Sequence, residues 1–277
     1  MKYLNRSGVN YLTHTWNPIK AADGGFLCTK VSPGCLNCWA GQQRKRFRHE
    51  DYSYTSKGLN LVLDEEMLTA PLRLPEPSII GVQFMSDLFH EDVKDNDIEK
   101  VLSLATGARW HTFLFLTKRP DRAKSFGPMF NEENHLWLGV SVENQETADQ
   151  RIPALLSIPA AKRWVSVEPM LEPVLFEQNW SSWLTGWDTS AERDEDGDPY
   201  PVQVQTPSLN WVVCGCESGR GRRPMDIDWV RSLRDQCVAA RVPFWFKQAY
   251  ENGKLVQLPL LDGKQWKQRP PSGGKEE

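Results

Sequence analysis

The chain has 277 residues, a formal net charge of −3, 40% apolar residues and 25% charged residues. This is the composition of an ordinary globular protein long enough to bury a sizeable core, and its charge balance gives no global sign of nucleic acid or of an acidic membrane surface. No apolar run approaches the ~20 residues of a membrane span, and the opening MKYLNRSGVNYLTHTWNP lacks the apolar region of a secretory leader. The expectation is a cytoplasmic protein that touches no membrane and keeps its six cysteines reduced, which favours metal binding or catalysis over disulfides.

In chain order, an early strand is expected around YLTHTWN (11–17), followed by a loop holding Cys28, Cys35 and Cys38 and a basic helix at RKRFRHE (44–50). SIIGVQFMS (78–86) reads as a strand, and DNDIEKVLSLATGA (95–108) as an Asp/Asn-capped helix with apolar spacing at Ile98, Val101, Leu102 and Ala105. HTFLFLT (111–117) is the next strand, and a short helix starts near Pro120. HLWLGVSV (135–142) is a strand, and NQETADQRIPALLSI (144–158) a helix expected to break or bend at Pro153. KRWVSVE (162–168), LNWVVCGCE (209–217) and PFWFKQ (243–248) are strands, and MDIDWVRSLRDQCVAARV (225–242) is a helix capped near Asp226. The strands are nearly continuous apolar runs, the pattern of a parallel sheet buried on both faces. About seven such units fit a (β/α) barrel, open or closed, with a doubly wound open sheet as the alternative. Residues 176–208, acidic and rich in Trp and turn formers, interrupt the alternation and read as an insertion. The domain is therefore expected over 1–261, with a polar, disordered tail over 262–277.

The strand ends are polar in turn: Asp87 and His90, Lys118 and Arg119, Ser141 and Glu143, Glu168, Glu217, then Lys247. In α/β proteins these ends form the active face. The loop after the first strand adds three thiols, which suit either a 4Fe–4S cluster with one iron left open or a zinc site completed by His49, Cys214 or Cys216. The residues alone leave both open.

Cys28-x6-Cys35-x2-Cys38 resembles the three-cysteine loop of radical S-adenosylmethionine (SAM) enzymes, with a longer first gap than usual. TWNP (15–18), CTKVSPGCLNCWA (28–40), LTKRPDRA (116–123), LWLGVSVEN (136–144), VSVEP (165–169) and PFWFKQ (243–248) together resemble the phage and prophage three-cysteine-motif, radical-SAM-like family. The resemblance implies a partial (β/α) TIM-like barrel of the radical SAM type. It also implies a 4Fe–4S cluster on Cys28, Cys35 and Cys38, SAM on the open iron, and an external electron donor. The cleaved cofactor would supply a 5′-deoxyadenosyl radical that abstracts hydrogen from the substrate. Within that scheme Asp87 accepts from the SAM amine, Lys118 or Arg119 holds its carboxylate, and Ser141, Glu143 and Glu168 meet the ribose. Lys247 and Glu217 face the substrate as the catalytic candidates. Two features depart from the wider superfamily. FMSDLF (84–89) stands where a Gly-Gly-Glu is common, and Asn37, not an aromatic residue, precedes Cys38.

The phage likeness extends to the substrate: an isomerase acting on an amino-acid-modified thymidine in DNA, in hypermodification that evades restriction, at work in the bacterial host's cytoplasm. The basic runs RKRFRHE (44–50) and GRGRRP (219–224) would hold phosphates, while Trp39, Trp137, Trp164, Trp211 and Trp245 read as core. The rival from another class is a non-catalytic zinc- or cluster-stabilised nucleic-acid-binding module. A zinc hydrolase would need histidine ligands, and residues 14, 49, 90, 111 and 135 show no ligand spacing.

Overall fold

Seven parallel strands follow one another in chain order across one sheet: His14–Trp16 (β1), Ile79–Val82 (β2), Thr112–Thr117 (β3), Leu136–Val142 (β4), Lys162–Val167 (β5), Trp211–Gly215 (β6) and Phe244–Glu251 (β7). The computed structural model describes residues 3–48, 50, 52, 58–131, 133–178, 181–193 and 198–271. Asn5–Arg6 and Lys254–Gln257 add an antiparallel strand at each edge, giving nine in all. The chain is thus mixed α/β with a large, mostly parallel sheet. Among the described residues the two edge strands do not pair with each other, so the sheet stays open.

Period-2 alternation sorts the strand residues onto two faces. Leu136, Leu138, Val140 and Val142 of β4 enter one core with Phe113 and Phe115 of β3 and Val165 and Val167 of β5. That core is covered by the helices Asp95–Gly107 (α2), Gln145–Leu156 (α4) and Ile227–Ala239 (α5), through Ile98, Val101, Leu102, Ile152, Leu155, Val230 and Leu233. The opposite face carries Leu114, Trp137, Trp164, Trp211, Val213 and Trp245, covered by Tyr11 and Leu12 from the loop before β1. Among the described residues, none from a helix joins this second core. Helices on one face and strands in sequential order are what same-sided, right-handed crossovers produce. The doubly wound alternative, which needs helices on both faces and a reversal of strand order, does not describe this chain.

The tryptophan layer sits at the N-terminal ends of the strands. Tyr11 stacks edge-on against Trp211 at 5.4 Å and Trp164 at 6.1 Å, and Trp211 lies 5.8 Å from Trp137 and 6.1 Å from Trp245. Asn10 ties this plug to β7 by donating to the Lys247 carbonyl and accepting from Trp245 Nε1. Trp39 is the exception to the core expectation, 40% exposed at the start of the helix Trp39–Arg48 (α1). Gly139 faces Trp164 across the β4–β5 pairing, and a Cβ there would lie 2.5 Å from the indole ring. Gly139→Ala is therefore expected to cost about 1–3 kcal/mol through overpacking, read as a lowered urea midpoint with unchanged slope.

Three local expectations change. Pro153 lies inside a continuous α4, on its exposed side, where water can take the carbonyl that loses its partner. Lys94, not an Asp or Asn, caps α2, with Asp95 and Asp97 in its first turn. The short helix Pro120–Lys124 (α3) and the Asp226 cap of α5 stand where the sequence puts them. The insertion at 176–208 contains a small antiparallel sheet of Glu177–Gln178, Ser181–Ser182, Trp187–Arg193 and Pro199–Gln205. Of the expected tail, residues 264–268 are tied to the domain: Lys264–Gln265 pairs with Leu260–Leu261, Trp266 packs on Phe244, and Gln268 bonds Phe244 and Trp211. Trp266 is an apolar anchor inside a polar run, which composition alone averages away. Residues 272–277 lie outside the described residues.

Candidate active site at the strand ends

Two to four residues beyond the tryptophan layer, the same face of the strands turns polar. Trp137 is followed on that face by Ser141, Trp164 by Ser166, and Trp245 by Lys247. These groups floor a cleft of about 1090 Å³, measured out to its open mouth. Its walls bring together Cys28, Cys35, Cys38, Asp87, Lys118, Arg119, Ser141, Glu168, Glu217 and Lys247, along with Cys216. Of the candidate residues only Glu143 is behind the wall, fully buried.

The cysteine loop is held by three networks of strand-end charges. In the first, the Arg119 guanidinium donates to Asp87 at 3.1 Å, Glu91 at 3.1 Å and Thr29 Oγ1 at 2.7 Å, and lies 3.9 Å from Cys28 Sγ. Burial alone would weaken this cation, but Asp87, Cys28 and Glu91 beside it raise its pKa. Asp87 also accepts from Thr117 Oγ1 at 2.8 Å and from the backbone N–H groups of Lys118 and Phe89. Its carboxylate is thus an anchor for Arg119 as well as part of the cleft wall.

In the second, Glu143 receives Lys118 Nζ in a short contact, Arg151 Nη1 at 3.1 Å and Ser32 Oγ at 2.8 Å. Burial pushes the Glu143 carboxyl up, and the two cations with their hydrogen bonds outweigh it, holding its pKa below the ordinary value. Gly34 lies flat on this side chain: a Cβ there would meet Glu143 Cγ at 2.3 Å. In the third, Glu217 binds Arg223 at 2.5 Å and Asn37 Nδ2 at 3.0 Å, while Asn37 also donates to the Gly221 carbonyl and Arg223 to that of Pro33. Gly219 closes against the Asn37 carbonyl, where a Cβ would be 2.0 Å away. Asn37 thus latches the loop after β6 onto the cysteine loop.

Glu168 takes Lys247 Nζ at 2.6 Å and Gln248 Nε2 at 3.1 Å, and both Glu168 and Lys247 face the cleft. Burial pushes the Cys28 thiol up to about 12, opposed by Arg119. Burial also raises Cys38, opposed by the backbone N–H groups of Gly41 and Ala40 in the first turn of α1. Cys35 lies 3.8 Å from Ser32 Oγ.

These observations bear on what the thiols can hold. Among the described residues no group of three or more His, Cys, Asp or Glu is gathered as the cage of one metal ion. Three thiols on one cleft wall, one beside a guanidinium and one at a helix N-terminus, instead suit thiolates that each bind a different iron. The donor set fits a cluster with an open position. Of the proposed fourth zinc ligands, Cys214 is turned into the helix-covered core, 3.5 Å from Met170 Sδ, and His49 lies outside the described residues. Cys216 lines the cleft, its pKa pushed up to about 11 by burial and by Glu168. The other histidines are dispersed: His90 pairs with Thr29, His111 with the Pro71 carbonyl, His135 with that of Ala105, and His14 with Thr13.

Reading the sequence missed Ser32 and Arg151; it named Asn37 only as a departure before Cys38, and it put Arg223 in a phosphate-holding run where the structure spends it on Glu217. The one available signal was Arg151, a charge on the apolar side of α4 beside Ala148, Ile152 and Leu155. No described helix is long and apolar enough to cross a membrane.

Residues 6–270 match the family DUF5131, described as a protein of unknown function, and the chain belongs to that family. No curated protein matches it. Among solved structures it is similar to a spore photoproduct lyase double mutant with bound AdoMet and dinucleoside spore photoproduct, with a TM-score of 0.43 and 11% identity over 60% of this chain and 48% of that one. It is likewise similar to spore photoproduct lyase complexed with dinucleoside spore photoproduct, with a TM-score of 0.44 and 12% identity over 60% of this chain and 48% of that one. The chain spans about half the length of the solved structures it matches.

Proposed function

We propose that this protein is a radical-SAM-type enzyme whose open, singly wound sheet serves as a partial (β/α) barrel. One observation carries the reading. Three thiols from the loop after β1 and polar side chains from the ends of the six following strands line one cleft. When bound, a 4Fe–4S cluster and SAM would supply, with an electron from an external donor, a 5′-deoxyadenosyl radical able to take a hydrogen atom from the substrate.

The chain's own groups have separable jobs. Cys28, Cys35 and Cys38 hold iron as thiolates. Arg119 and the first turn of α1 favour the anionic sulfur at Cys28 and Cys38. Asp87 and Glu143 act mainly by positioning, because Arg119, Lys118, Arg151 and Ser32 already occupy them. Lys118 meets the SAM carboxylate, Arg119 being taken up by Asp87, Glu91 and Thr29, and Ser141 and Glu168 meet the ribose. Lys247 and Glu217 stand on the substrate side. The tryptophan plug closes the floor against water.

The finer reading makes the enzyme an isomerase that moves an amino-acid substituent from nitrogen to carbon attachment on a modified thymidine of phage DNA. It rests on the sequence resemblance, and nucleoside mass spectrometry of such DNA after turnover tests it. For the class, the expected result is a 4Fe–4S EPR signal from anaerobically reconstituted, reduced protein that changes shape when SAM is added. A colourless protein with one bound zinc would sink the reading and favour a nucleic-acid-binding module.

A further inference from the structure

A second pocket, open to solvent and about 880 Å³ when measured out to its mouth, adjoins the cleft and shares Cys216 with it as a wall. Arg222, Arg223, Tyr250 and Glu251 supply its polar lining. The two arginines differ. Arg223 spends its guanidinium on Glu217 and the Pro33 carbonyl. Arg222 lies over the Tyr250 ring, 4.3 Å from its centroid, and its Nε is buried with no hydrogen-bond partner. A buried guanidinium N–H without an acceptor is costly, and the remaining N–H groups of the fork can donate to an oxyanion in the cavity that Arg222 lines. Among the described residues Arg222 has no ion pair, although Glu251 lines the same cavity.

More positive charge stands beside this loop, Arg220 lying in the chain between Gly219 of the cleft and Arg222 of the second pocket. Arg220 is pinned to α1, its N–H donating to Gln42 Oε1 at 2.7 Å and its carbonyl accepting from Gln42 Nε2 at 2.7 Å. Lys45 and Arg46 follow Gln42 by three and four residues, on the same side of the helix. All three cations are exposed and carry no ion pair among the described residues. Exposed aromatic rings stand with two of the arginines: Phe47, 72% exposed, beneath Arg46, and Tyr250, 45% exposed, beneath Arg222. Cations that track a backbone, with ring faces beside them, are the equipment of single-strand nucleic-acid binding.

We propose that the Arg222 cavity is a phosphodiester subsite for a single-stranded oligonucleotide. One phosphate sits on Arg222 over Tyr250, the adjoining nucleoside passes Cys216 into the cleft, and flanking phosphates follow Arg220, Arg46 and Lys45. A base can reach a cleft of this kind only when it is out of a duplex stack. The inference rests on the cleft being the substrate site, but not on the cluster.

Its test therefore needs neither iron nor SAM. The full chain as purified is titrated against a fluorescent ~12-nucleotide single strand by anisotropy over a range of salt. Arg222→Gln is expected to weaken binding about tenfold, the worth of one charge-assisted hydrogen bond. It is also expected to flatten the log–log salt slope by about 0.7, one phosphate on a single strand. Arg222→Lys should restore the slope and only part of the affinity. Arg109→Gln, which removes a charge paired with Glu133 at the opposite strand ends, should change neither. The proposal falls if the wild type does not bind, if Arg222→Gln matches it, or if Arg109→Gln loses as much. It also falls if inorganic phosphate at equal ionic strength competes as well as a dinucleotide, since the site would then hold an anion without its nucleoside. Failure of the cluster reading would instead appear in the EPR spectrum.

Discussion

Replacing any one of Cys28, Cys35 or Cys38 with alanine is expected to leave reconstituted protein without a stable 4Fe–4S signal, and iron should fall to a small fraction of the wild-type content. Cys237→Ala, a thiol in the helix-side core, should keep both. The contrast follows from place. Each thiol of the loop lines the cleft, and a cluster held by the three would lose one of its protein ligands. Cys216→Ala is the discriminating variant, because Cys216 is a further thiol in the cleft wall. If it empties the protein of iron as fully as the loop variants do, four thiols hold the metal and the open position is lost. Iron content and EPR line shape read this without any substrate.

The second large effect is expected at Glu143. It is buried with Lys118 and Arg151 bonded to it, and it reaches the cysteine loop through Ser32 and Gly34. Glu143→Ala leaves two cations facing a hole, which should cost about 3–5 kcal/mol of folding stability. Urea unfolding at neutral pH measures it. Because Glu143 titrates lower in the folded chain than in the unfolded one, its contribution is complete above the ordinary glutamate value of about 4.3. It is lost as pH falls through the folded value. Wild-type stability should therefore drop on acidification below about pH 4.3. Glu143→Gln, close in shape but uncharged, should be destabilised at neutral pH and lack this part of the acid loss. An acid limb of equal size in both proteins would show that other carboxylates carry it. The variant should also hold less iron, since the cysteine loop loses its β4 support.

Strand identity was legible because it is written locally. Continuous apolar runs such as LWLGV and WVVCG fit burial on both faces, and a polar residue follows each within two positions. The three cysteines were legible for the same reason, as close neighbours in one loop. Helix ends were read less well. Pro153 breaks nothing because it faces solvent, a fact that depends on where α4 rests.

What the strand-end residues do for one another was not legible. Asp87, Arg119, Glu143 and Glu217 look alike in a string of letters, each a charge after a strand. Their partners stand 32 residues away for Asp87 with Arg119, 111 for Glu143 with Ser32 and 180 for Glu217 with Asn37. Hydrogen bonds of that span exist only once strand order has been set, so no local pattern announces them.

By itself, then, the sequence determined the alternation of buried strands and covering helices, the polar end of each strand, and the three-thiol loop, because each depends on neighbours along the chain. Tertiary structure alone decided that the helices cover one face, that a tryptophan layer seals the other, and that residues 264–268 fold back onto β6 and β7. It alone decided which charges brace the cysteine loop and which are left facing the cleft. The reason is geometric: the energy of a buried charge depends on the partner brought against it, and parallel strands bring together groups that the chain keeps far apart.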